Sequence, residues 1–439
     1  MLAKYYQFLK ELVELKTISW EKKSTPDIKK ASILLKERSE NSGMKSIIVE
    51  WYDNPIVVSS YVFDKNLPTC LIYWHYDVQP AHKSEWWKQD PFSLYIGKDK
   101  IFGRWVADNK WQFLIHFLTV GELIKSKKLW YNVIFLIEGN EENWSWKLES
   151  FLRDFQSNLK SDFCLISDSE IIDDSPCIDV WYNWWFNAKL KIITAKTDLH
   201  SGVYGWMVPN PIQEINKLLS KLYDYNNHIT IPYFYYDVED IDPDVAVRNK
   251  RIKFDANKFM NDTWVKTILK DKEFDLFTQI WLRPRAQIIS IDGWYRGEWF
   301  KGAIPGSASA VLDFRLVKNQ DPQKIISSFE QRIKWNIPWY VDYEIEFSAS
   351  SKATKVNMKN SYIKKAESIL KDIFAKPVIY RYSGGTLTVV NLLDSIISVN
   401  NVLIPLANGD SNMHGVNENM DIDLIEKWLK FSYEFLRKG

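Results

Sequence analysis

Short apolar runs alternate with longer stretches of helical period through the first part of the chain. Pro68–Tyr73 (PTCLIY), Asn132–Ile137 (NVIFLI) and Phe163–Ile166 (FCLI) are brief and continuously apolar, as strands buried on both faces are. Between them, Asp108–Ile124 repeats apolar residues at Phe113, Leu114, Phe117, Leu118, Val120 and Leu123, the stripe of a helix packed on a sheet. The opening MLAKYYQFLKELVELKTI has the same period, and its charges interrupt any leader-like apolar core. This alternation predicts an α/β sandwich with helices on both faces of a largely parallel sheet.

The rhythm changes near Asn187. A strand (NAKLKIITA) leads to a helix opening at Pro209-Asn210-Pro211, then a polar insertion, then two strands, QIISIDG and SASAVLDFRLV. A helix after Asp321-Pro322 and a last strand, VDYEIEFSAS, complete a β-α-β-β-α-β order, the split arrangement of a ferredoxin-like domain. After Lys352 the first pattern resumes with SYIKKAESILKDIF. The expected organisation is a first domain over 1–186, an inserted domain over 187–352, and a return to the first domain over 353–439.

Composition narrows the function classes. With 57 Lys and Arg against 56 Asp and Glu, the net charge is +1, which offers no attraction for nucleic acid or an anionic membrane. No apolar stretch approaches the 18 or more residues, at about 1.5 Å each, that span a bilayer. Three cysteines (Cys70, Cys164 and Cys177) are too few for a disulfide framework and suit a reducing compartment, so a cytoplasmic location is expected. One imbalance stands out: 16 glycines beside 21 tryptophans in 439 residues, where a usual glycine level of about 7% would give roughly 31.

Candidate chemistry gathers at strand ends. His75 opens HYDVQP directly after an apolar strand, with Asp77 two residues on and on the same face by alternation. Alone it reads first as a strand-end histidine with local hydrogen bonds. Asp108 lies in GRWVADNK at a strand-to-helix junction, Glu141-Glu142 follow NVIFLIEG, and Asp168 follows FCLI in LISDSE. Adjacent acids repel, so Glu141 and Glu142 call for a cation or a shared proton. His414, in DSNMHGVNE, arrives from the resumed part. Each acid singly reads as solvated loop. Together they put carboxylates and imidazoles on one sheet edge, where open α/β folds place their sites, in a mixture suited to zinc or another first-row divalent ion.

The motifs HYDVQP, GRWVADNK, EGNEENWS, LISDSE, DLHSGVYG, FRLVKNQDP and MHGVNE, in order from Trp74 to Glu418, resemble those of the di-zinc metallopeptidases of the aminoacylase/carnosinase type. The long HYDVQP and DLHSGVYG forms look most like the dipeptidases. The resemblance implies a zinc-exopeptidase-like sandwich with an inserted ferredoxin-like lid and dimerisation domain. It implies two divalent ions per subunit, zinc foremost with manganese or cobalt as alternatives. His75 and Asp168 would hold one ion, Glu142 and His414 the other, with Asp108 bridging. Glu141 would be the general base toward a metal-bridging water, and Asp77 would orient His75. His200 would reach the other subunit's site and stabilise the oxyanion; Arg315 and Thr386 would hold the substrate carboxylate. The implied activity is hydrolysis of dipeptides or short peptides by a homodimer, with N-acyl-amino-acid deacylation as the alternative.

The glycine deficit falls inside these motifs. Trp74, Trp105, Trp111, Trp144 and Trp206 stand where the family carries glycine, and Trp294 and Trp299 look similar. Glycine there allows positive φ or close backbone approach, and an indole is a poor replacement that is expected to overpack the metal edge. One reading is a non-catalytic relative with a blocked site. The substitution runs one way while every candidate ligand is intact, so tryptophan standing for glycine fits the sequence better than decay.

Overall fold

A computed structural model describes residues 2–293, 301–348, 353–383 and 387–439. The chain divides into two compact units: Met1–Val180 with Lys355–Arg381 and Thr388–Gly439, and Trp181–Thr354 with Tyr382–Leu387.

In the first unit the short apolar runs become the centre of a nine-stranded sheet. Its order is Lys45–Val49, Ile56–Tyr61, Asn132–Glu138, Thr69–His75, Phe163–Ile166, Asn400–Leu403, Cys177–Tyr182 and Thr354–Lys355, with Ile379–Ser383 also paired to Cys177–Tyr182. The strands flanking Thr69–His75 run parallel to it, as does Asn400–Leu403 beside Phe163–Ile166. All seven residues of Asn132–Glu138 are buried, which accounts for a continuous apolar run without alternation. The helix Lys110–Lys125 buries twelve of its sixteen residues. At its head, buried Lys110 donates to the carbonyls of Leu12 and Leu15 (2.6 and 3.1 Å) and ties down the end of the N-terminal helix Leu2–Val13. Parallel strands feeding this helix bring several strand ends to one edge of the sheet.

The second unit is built on an antiparallel sheet ordered Arg285–Asp292, Ser307–Leu316, Trp184–Ile193, Asp342–Phe347. Along Ser307–Leu316 every second residue is buried, so one face packs and the other stays wet. The packed face holds Phe186, Leu190, Leu312 and Phe314 with Ile215 and Leu218 of the helix Pro211–Ser220 and Phe329 of the helix Pro322–Asn336. The wet face pairs Lys191 with Glu344 and Lys189 with Glu346 (2.9 and 3.4 Å). Asn210 and Asp321 cap the two helices, each accepting from a backbone amide at 2.9 Å. The polar insertion forms three short helices, Pro243–Lys250, Ala256–Thr263 and Leu276–Leu282, each started by an aspartate cap. Among the described residues no helix is long and apolar enough to cross a membrane.

Candidate metal centre

His75 ends its strand wholly buried, and its ring faces three acids. Nε2 lies 3.2 Å from Asp108 Oδ1 and 3.5 Å from Asp168 Oδ2, while Nδ1 lies 3.4 Å from Asp77 Oδ1. On the other side of Asp108, His414 Nε2 stands 2.7 Å from Oδ2 and 3.5 Å from Glu142 Oε2. The two oxygens of Asp108 are thus divided between two imidazoles that are 339 residues apart in sequence. Two groups of ligand atoms result, each compact enough for one cation: His75, Asp108 and Asp168, and Asp108, Glu142 and His414.

Charge and burial show what these groups lack. His75 Nε2, Asp108 Oδ1 and Glu142 Oε1 are buried and have no hydrogen-bond partner. Such atoms are costly unless something binds them, and these three belong to candidate ligands. Burial alone would raise the Asp108 carboxyl, but His414 and then His75 outweigh it and hold Asp108 well below the ordinary carboxylate range. Burial first and the Asp108 charge second push Glu142 up to about 8. Burial likewise drives Glu141 well upward, with Asp168, Glu142 and Asp108 adding to it against the opposing pull of His75. Carboxylates here outnumber imidazoles at a site buried except on its His414 side, and divalent cations would relieve the repulsion that protons otherwise relieve.

The remaining sequence-derived candidates are placed as follows. Asp77 is buried and accepts hydrogen bonds from the amides of Glu141 (3.1 Å) and Glu142 (3.0 Å), so it pins the turn carrying both glutamates as well as facing His75. Glu141 belongs to neither cation group. His200 and Arg315 lie on the second unit. His200 is exposed and accepts from the Gly202 amide through Nδ1 (3.0 Å). Arg315 is partly buried, donates to Asp313 (2.9 Å) and lies over the Trp185 ring at 5.7 Å. Thr386, Trp294 and Trp299 fall outside the described residues. His116, which belongs to neither cation group, is buried between Ser432 and Ser167 (3.0 and 2.9 Å).

Sequence reasoning passed over Gln79, whose amide donates to Glu142 Oε2 (2.7 Å). It also passed over Arg104 and Glu418, a buried ion pair at 3.0 Å. Gln79 and Glu418 sit inside the motifs HYDVQP and MHGVNE, so the signal was their membership in those runs.

The indoles expected to overpack the metal edge lie elsewhere. Trp74 stacks on Phe113 at 3.8 Å and donates to the Asn109 carbonyl (3.0 Å), Trp111 meets Tyr5 edge-on, and Trp105 packs on Phe92. Trp144 and Trp206 are exposed. The backbone at Trp105, Trp144 and Trp206 has φ of 77°, 78° and 70°, the left-handed region that favours glycine.

Known proteins resemble the chain over most of its length. A family model described as a peptidase dimerisation domain matches residues 187–341. The M20 family metallo-carboxypeptidase Sso-CP2 from Sulfolobus solfataricus superposes with a TM-score of 0.87 at 26% identity, covering 99% of this chain and 98% of that one. The chain thus carries a peptidase dimerisation domain of the M20 type and is similar along almost its whole length to an M20 metallo-carboxypeptidase. It is similar to the Beta-Ala-His dipeptidase of Rattus norvegicus, 25% identical over 84% of this chain and 76% of the relative. It is also similar to the Cys-Gly metallodipeptidase DUG1 of Saccharomyces cerevisiae, 24% identical over 87% of this chain and 82% of the relative.

Proposed function

We propose that the chain is a metal-dependent dipeptidase or short-peptide exopeptidase that works at the His75–Asp108–His414 cluster. The observation that carries this reading is the division of the two Asp108 oxygens between His75 and His414, a bridging geometry that one cation site would not need. Relatives named as dipeptidases supply the substrate class.

On this reading His75 and Asp168 would hold one ion and Glu142 and His414 the other, with Asp108 contributing to both groups; the His/carboxylate mixture favours zinc, with manganese or cobalt also suited. Two such cations, when bound, acidify water and polarise the scissile carbonyl. Glu141 does the proton work: outside both ligand groups, it takes a proton from the attacking water and delivers it to the leaving amine nitrogen. Asp77 holds Glu141 in place through its amide and fixes the His75 tautomer. His200 donates to the oxyanion in the partner's site, and Arg315 and Thr386 hold the substrate carboxylate, within a cytoplasmic homodimer joined through the inserted domain.

Metal content and turnover test this together. The purified protein is expected to bind two divalent ions per chain and to cleave dipeptides with higher kcat/KM than N-acyl amino acids. Glu141→Gln is expected to keep both ions while kcat falls by about 10²–10⁴-fold. Preference for N-acyl amino acids would move the assignment to a deacylase, and absence of metal binding would end it.

A further inference from the structure

One buried carboxylate beside the cluster ligates nothing and is not idle. Glu418 is 1% exposed and accepts four hydrogen bonds from one short loop. Oε1 takes the amides of Ala107 (2.8 Å) and Asp108 (2.9 Å); Oε2 takes the amide of Trp105 (2.9 Å) and Arg104 Nη1 (3.0 Å). The loop approaching Asp108 is wrapped around this side chain. The backbone continues the contact, because Asn419–Asp421 pairs antiparallel with Lys100–Phe102 and the Gly103 amide donates to the Glu418 carbonyl (3.2 Å).

Arg104 extends the arrangement to two more segments. It is 3% exposed, and its Nη2 donates to the carbonyls of Pro80 (3.3 Å) and His414 (3.4 Å). Pro80 closes the HYDVQP run that starts at His75, and His414 is itself a candidate ligand. One ion pair therefore touches the backbone of the three segments that carry His75, Asp108 and His414. Its guanidinium lies over the rings of Trp87 and Trp105 at 5.0 and 5.5 Å, so water is kept from it. Carboxylate and guanidinium neutralise each other, which leaves Glu418 no spare charge for a cation. A carboxylate filled by amide donors has a different task from a ligand: it fixes the backbone from which a ligand departs.

We propose that Glu418, with Arg104, is a positioning pair that sets the Asp108 bridge in register with His75 and His414. The proposal rests on the di-metal reading above and adds to it a residue that touches neither metal nor substrate.

The test compares metal affinity in metal-free full-length protein titrated with Zn²⁺ or Mn²⁺ under chelator competition. Glu418→Gln keeps the side chain's shape but removes its charge and one amide acceptor. It is expected to weaken binding by about 10–100-fold, as loss of a ligand-orienting partner does, and to lower kcat with little change in KM. Leu370→Ala, in the core of the helix Ser361–Phe374, is the stability control and should lower Tm while leaving metal affinity unchanged. Should Glu418→Gln not fold, Arg104→Lys takes its place, because a lysine cannot serve Glu418, Pro80 and His414 at once; a loss of at least about tenfold is expected there too. Wild-type affinity in the variant, or a loss no larger than in Leu370→Ala, overturns the proposal while leaving the di-metal reading intact. Failure of the wild-type protein to bind metal overturns that reading instead.

Discussion

Among the described residues, five tryptophans hold a left-handed backbone: Trp86, Trp105, Trp144, Trp206 and Trp264, with φ between 58° and 78°. A side chain bearing a β-carbon is strained there by roughly 1–2 kcal/mol, and only glycine escapes the clash. Packing does not explain four of them. Trp86, Trp206 and Trp264 are 89% exposed or more and Trp144 is half exposed, so their indoles contribute little burial to offset the strain. Trp144 and Trp264 also terminate helical turns, at the position where chains usually end a helix with glycine. Trp86→Gly, Trp206→Gly and Trp264→Gly are each expected to stabilise the protein by up to about 1 kcal/mol, read as a rise in the denaturant midpoint at constant slope. A fall in all three would show that the indoles make compensating contacts. Trp86 and Trp264 carry no motif around them, which is why the sequence reading passed them by. Trp105, Trp144 and Trp206 were legible because family motifs frame them.

The helix Lys110–Lys125 connects the metal edge to the rest of the first unit, and His116 is its polar seam. Between Ser167, next to Asp168, and Ser432 of the C-terminal helix Ile422–Leu436, the imidazole is dry, and burial pushes its pKa down to about 3. The folded value lies below the unfolded one of about 6.5, so unfolding takes up a proton between these two values. His116 therefore costs nothing above about pH 6.5, and stability falls as the pH drops from there toward 3, at up to about 1.4 kcal/mol per unit. His116→Gln, compared with the wild type across pH 4 to 7, is expected to flatten that dependence by close to one proton; parallel curves would place the acid sensitivity elsewhere. Elements of this helix's kind were readable from their period, and strand ends from the polar residue that closes an apolar run. The three helices between Pro243 and Leu282 were not, because each is only seven or eight residues long and charges dilute its apolar stripe. Their aspartate caps, Asp242, Asp255 and Asp275, were the available signal.

Across the whole molecule, the candidate ligands come from five separate stretches and from both ends of the interrupted first unit, from His75 to His414. Cations held there would join segments that the chain itself leaves far apart, so their binding energy becomes folding energy. A chelator is expected to lower Tm, and metal at about 100 times its Kd to restore some 2.7 kcal/mol per site. An unchanged Tm would mean that the folded chain binds no cation more tightly than the unfolded chain does. The ligands were visible in sequence as residue types at strand ends. The roles of Arg104 and Glu418 were not, because hydrogen bonds that Glu418 accepts from amides more than 300 residues away have no period and no spacing. The left-handed indoles at Trp86, Trp105, Trp144, Trp206 and Trp264, finally, mark turns whose backbone suits glycine. A chain carrying tryptophan there is strained at each turn. A chain carrying glycine there is relaxed, with every metal ligand unchanged. Peptide masses of protein purified from its own cells would show which of the two residues occupies positions 86, 105, 144, 206 and 264.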